Sequence, residues 1–169
     1  RRARPTDLTR LGHAAKKSRG LNDRVFQFPV YRGHLLMSQA LSERTVTIVK
    51  ATVPALQAHG LDIVREMYAR MFQNPEILDL FNQSHHGDSG SQPRALTGAI
   101  LAYAANIDNL GALTAAVERI AQKHVGLQIM PDHYPHVASA LLGAIGHVLG
   151  EAATEDVLTA WGEAYWFLA

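Results

Sequence analysis

His124 ends an apolar stripe at Ile120-Ala-Gln-Lys-His124, and Gln92 opens another at Gln92-Pro-Arg-Ala-Leu96. Neutral imidazole is a borderline-soft ligand that suits iron and other transition metals. The chain has nine His and no Cys. Disulfides, iron–sulfur clusters, thiolate zinc sites and cysteine catalysis are therefore excluded. A transition metal must be held by His, by carboxylate or by a cofactor. His124 closes its stripe instead of sitting within it, so its ring can project past the helix into a cavity. Lys123 beside it is polar, which marks where a cofactor edge could meet solvent. An imidazole closing one helix and an amide opening another are one way for an all-helical protein to hold a haem. The plain alternative is a boundary histidine with a satisfied hydrogen bond.

Other side chains offer a choice of the same kind. Gln92 precedes Leu96 by four residues and Ile100 by eight, so the three share a helix face. If buried there, its amide needs a partner; if exposed, it only starts a helix. Tyr68 lies in a bulky stripe with Met67, Met71 and Phe72. It is either core with its hydroxyl at the surface, or a fixed donor that stabilises negative charge on a ligand. Phe81 is ordinary core or a wedge against a flat ring. Tyr134 is close enough in sequence to orient the ring of His124 from behind. His133 and His136 do not share its face and read as surface residues. The pair His85-His86 lies in a Gly/Ser loop without a third ligand at metal-site spacing.

Helices must position these groups. Ser42 can cap a helix carrying Val46, Val49, Val53 and Leu56, with a kink or boundary at Pro54 and an end at Gly60. Leu61 to Phe72 is the next amphipathic stretch. Asn74-Pro75-Glu76 starts a short helix through Phe81, and Asn82 to Ser91 is a polar loop. Pro93 begins the helix of Leu96, Ile100 and Tyr103, which Asp108-Asn109 breaks. Leu113, Val117, Ile120 and His124 then form one face. Pro131-Asp132 opens a long helix that Gly150 stops. Thr154 caps the last, with Val157, Leu158, Trp161, Tyr165 and Leu168 inward. No β-alternation appears. The expected class is all-α, with six to seven helices of unequal length, which suits ridge-into-groove packing better than a regular bundle.

The 169 residues carry a formal net charge of +1, which argues against binding nucleic acid or a membrane surface by bulk charge. No apolar run reaches the roughly 18 residues that cross a bilayer. Arg1 to Gly20 is basic, with Asp7 its one acid. A secretory signal would need an apolar stretch that is missing there. The domain boundary is expected at residue 42, with 1–41 a disordered or non-native basic leader.

Several short segments occur in one order: Lys50-Ala-Thr-Val-Pro54, Tyr68-Ala-Arg-Met-Phe72, Asn74-Pro-Glu76, Leu80-Phe-Asn82, Gln92-Pro-Arg-Ala-Leu96, Ala102-Tyr-Ala-Ala-Asn-Ile107, Ala121-Gln-Lys-His124, Tyr134-Pro-His-Val137 and Ala160-Trp-Gly-Glu-Ala-Tyr165. In that order, from Ser42 onward, the chain resembles the haem domain of bacterial flavohaemoglobins and of the related single-domain bacterial haemoglobins. The resemblance implies a globin fold around haem b, with His124 as the iron ligand. It implies a distal pocket of Tyr68, Gln92 and Leu96, Phe81 packing on the haem, and Lys123 at its edge. It further implies binding of dioxygen and nitric oxide and their conversion to nitrate, with the cytoplasm as the expected location. Tyr134 matches the tyrosine of a network behind the proximal imidazole. That network's glutamate falls beyond Ala169 and is not Glu163. The FAD- and NAD(P)H-binding reductase half has no counterpart here, and the chain holds no Gly-rich phosphate-binding run. The expectation is a haem-domain fragment, with a single-domain dioxygen-binding haemoglobin served by a separate reductase as the alternative.

Overall fold

Ser42 accepts the amide of Thr45 on its hydroxyl at 3.0 Å and so starts α1, Glu43–Ala51. The computed structural model describes residues 40–79 and 91–169. Phe81, the His85-His86 pair and the expected basic leader up to residue 39 lie outside the described residues. The helices that follow are α2 (Val53–Met71), α3 (Pro75–Asp79), α4 (Ser91–Ala105), α5 (Thr114–Gly126), α6 (Tyr134–Leu149) and α7 (Glu155–Leu168). Short 3-10 turns at Leu110–Leu113 and Pro131–His133 precede α5 and α6. The described residues are thus all-α, with seven helices, as expected.

The α1–α2 joint falls at Pro54, as its missing N–H requires. Thr52 makes the joint tight. Its buried hydroxyl donates to the carbonyl of Val49 at 2.6 Å and accepts from the indole of Trp161 at 3.3 Å. A buried hydroxyl with both roles used costs the core little. Thr154 caps α7 through the amide of Val157 at 3.3 Å. Gly150 ends α6 with a φ of +55°, a conformation that glycine adopts freely.

The core is built chiefly from α2, α6 and α7. Ile63, Val64, Met67 and Met71 meet Leu141, Ala144 and Ile145, with Trp161 and Ala164 closing one side. Alanines on α6 and α7 let the helices approach closely.

Two sequence expectations are corrected. Gly60 does not end a helix; α2 runs through it. It is buried, and a Cβ there would meet Thr97 Cγ2 at 3.0 Å, so α2 and α4 cross closely at this point. Leu168, expected inward, is 45% exposed. His136 is exposed and His133 partly so, and the His133 Nδ1 accepts the amide of Met130 at 3.0 Å in an exposed hydrogen bond.

Candidate functional site

Two helices carry the polar groups of the apolar interior. Tyr68 lies near the C-terminal end of α2 and is buried, 6% exposed. Its ring stacks on Phe72, with centroids 5.4 Å apart. Burial pushes its phenol pKa up, and a hydrogen bond with the Gln92 side chain partly offsets that rise. Tyr68 is thus a neutral phenol at physiological pH and keeps its proton for donation. Gln92 stands in the first turn of α4 and is half-buried. Its expected need for a partner is met by Tyr68. Leu96 and Ile100 follow on the same helix and pack against the core. With Gly60 at Thr97 and Tyr68 at Gln92, the two helices run in opposite senses past this crossing.

The second group is on α5. His124 is half-buried in its last turn. Its carbonyl accepts the amide of Ile129 at 3.0 Å, and Gln128 amide bonds the Val125 carbonyl at 3.0 Å. This wrapped helix end forces Gln128 to a φ of +56°. A left-handed conformation costs a non-glycine residue about 1 kcal/mol, which these two backbone hydrogen bonds help to offset. The Tyr134 hydroxyl lies 3.4 Å from Nδ1 of His124, and the rings meet edge-to-face at 6.2 Å. With Nδ1 turned to Tyr134, Nε2 is the nitrogen left for a metal. Burial lowers the imidazole pKa, and the Lys123 ammonium lowers it further. Both effects favour the neutral, ligating form. Lys123 itself is exposed.

α5 differs from the other long helices in having no buried residue. It packs chiefly on the 3-10 turn before it. Ile120 is 43% exposed although it shares a stripe with His124, and Leu127 and Met130 beyond the helix are exposed as well. Among the described residues no three His, Asp or Glu converge on one point. A metal at His124 would have to bring its other ligands on an organic frame, and apolar side chains are at hand to receive one.

Sequence reasoning overlooked the hydroxyls behind this pair. Tyr165 donates to the backbone carbonyl of Tyr134 at 2.9 Å, and Tyr103 donates to that of Ala164 at 2.8 Å. Burial drives the Tyr103 phenol to about 12 and raises that of Tyr165 well above its ordinary value. Both tyrosines were legible as inward aromatics that need a partner. Their acceptors are main-chain atoms, which no side-chain pattern discloses. Glu163 is exposed and accepts a hydrogen bond from Thr45 on α1.

The family model described as Globin matches residues 65–169. The chain is a globin. Over 133 residues it is 60% identical to a flavohemoprotein of Xylella fastidiosa, covering 79% of this globin and 33% of that relative. The globin spans about a third of the length of the curated relatives it matches. A solved structure of an engineered carbene transferase, derived from a candidate nitric oxide dioxygenase of Rhodothermus marinus, superposes with a TM-score of 0.70 at 43% identity. That match covers 76% of this globin and 87% of the other chain. A flavohemoglobin of Malassezia yamatoensis, solved with FAD and heme bound, superposes with a TM-score of 0.69 at 35% identity, over 77% of this globin and 35% of that chain. This globin is therefore homologous to the haem domains of flavohemoproteins. No described helix is long and apolar enough to cross a membrane.

Proposed function

We propose that this globin holds haem b through His124 and serves as the haem domain of a nitric oxide dioxygenase. The supporting observation is the pairing of a buried, neutral Tyr68 with Gln92, on helices separate from the one that carries His124. Haem b would supply a ferrous iron at which dioxygen and nitric oxide combine to nitrate. His124 would bind the iron through Nε2, and Tyr134 would orient the ring from behind. Lys123 would stand at the solvent edge, and Phe81 would pack against the ring.

Tyr68 would donate its hydroxyl hydrogen to a gas ligand as negative charge builds there. Gln92 holds that phenol in place, so little reorganisation is needed when charge develops. Leu96 would narrow the approach and keep water out. The electrons would come from a flavin reductase using NAD(P)H and FAD, in cis or in trans. The reaction would then run in the cytoplasm, where reduced nicotinamide is found.

The second reading is a dioxygen-binding haemoglobin that borrows electrons from a separate reductase. Its support is a solved chain described as a bacterial globin, from Campylobacter jejuni, 40% identical and covered over 88% of its length. Both readings require the same iron ligand. His124→Ala should abolish stoichiometric haem binding. A variant with full haem content and an unaltered Soret band would overturn the assignment. Nitrate formation from nitric oxide by the reduced, oxygenated protein then separates the dioxygenase from the carrier.

A further inference from the structure

Tyr134 is the first residue of α6 and follows the exposed connector that leaves α5. First turns of helices are where backbone order is weakest. Yet this turn carries the phenol that meets His124 at 3.4 Å. What secures it comes from α7. The hydroxyl of Tyr165 reaches the Tyr134 carbonyl at 2.9 Å. The ring of Tyr165 is itself braced by Trp166, edge-on at 5.2 Å, and its neighbour Ala164 is fully buried. A half-buried side chain packed against the core thus ties down the residue behind the imidazole.

Resting on the haem-domain reading, we infer that Tyr165 is a positioning residue that fixes the Tyr134 phenol and, through it, the imidazole of His124. A fixed acceptor at Nδ1 keeps the ring in one orientation and raises the basicity of the opposite nitrogen. Freeing Tyr134 weakens both effects while leaving the His124 side chain itself unaltered. Burial keeps Tyr165 protonated, so the donor is present across the physiological range.

Tyr103 provides the internal control. Its hydroxyl also donates to a backbone carbonyl of α7, at 2.8 Å, one residue away at Ala164. It secures α4 to α7 but has no bond to Tyr134. The two phenols therefore share a chemistry and differ in what they hold.

The test uses the full chain loaded with haem. Tyr165→Phe should retain full haem content. The iron–histidine stretching band of its ferrous form should move to lower wavenumber and broaden, and the ferric/ferrous midpoint potential should rise. Placing 4-aminophenylalanine at 165, which restores a donor at the same ring position, should bring the band back. Tyr103→Phe should lower the melting temperature and leave the band in place. An unmoved band in Tyr165→Phe overturns the role of Tyr165. So does an equal shift in Tyr103→Phe, or a failure of the restored donor to rescue. If His124→Ala still shows the wild-type band, the iron ligand is wrongly assigned and both readings fall. A lost band in that variant beside an unmoved band in Tyr165→Phe removes only the inference about Tyr165.

Discussion

Tyr68 joins two properties that usually exclude each other, since it is both buried and polar. The conflict is resolved by Gln92, and the same bond fixes the direction of the phenol. Tyr68→Phe keeps the ring stacked on Phe72 and deletes only the donor. A neutral hydrogen bond contributes about 1 kcal/mol, which corresponds to a roughly fivefold faster release of dioxygen. Flash photolysis or stopped-flow measurement of the off-rate checks this, and an unchanged rate would show that Tyr68 does not meet the ligand. At this scale much was legible in the sequence. A lone amide on an apolar face had to find a partner, and it did. A histidine at the end of a stripe, followed ten residues later by a tyrosine, had a neighbour to orient it, and Tyr134 is at that place. The hydroxyls of Tyr165 and Tyr103 were not legible, because a carbonyl acceptor looks the same at every position of the chain.

At the scale of the element, helix ends were easier to read than helix crossings. Ser42, Pro54, Gly150 and Thr154 act through their own backbone or nearest amides, so local chemistry announces them. Gly60 acts through a partner 37 residues away, and its local chemistry misleads by suggesting a stop. It sets how closely α2 approaches α4, and so the distance over which Tyr68 reaches Gln92. Gly60→Ala gains roughly 1 kcal/mol of helix propensity and loses a similar amount to the Thr97 methyl, so its net effect should be small. Gly60→Val adds bulk that cannot be absorbed and should destabilise by about 1–3 kcal/mol. Thr97→Ser removes the crowding methyl and keeps the hydroxyl that bonds the Pro93 carbonyl. Adding it to Gly60→Val should recover part of the loss in urea denaturation. Strictly additive effects of the two changes would mean that the helices do not touch there.

For the whole molecule, stability is distributed unevenly. α2, α6 and α7 share the packed core, while α5 contributes no buried residue to it. Among the long described helices, the one holding the candidate iron ligand is thus the one without a buried residue. Stripping the haem should leave the α2 and α6 amides protected from hydrogen exchange and bring those of residues 114–126 close to free exchange. Equal protection of all helices in the stripped protein would refute this division. The same unevenness carries over to the cell. A helix whose apolar side chains stay exposed until a ligand covers them is a target for proteases and chaperones. Ligand binding withdraws that target in proportion to free ligand over its dissociation constant. The steady amount of this globin would then track haem supply after translation, without any change in its synthesis.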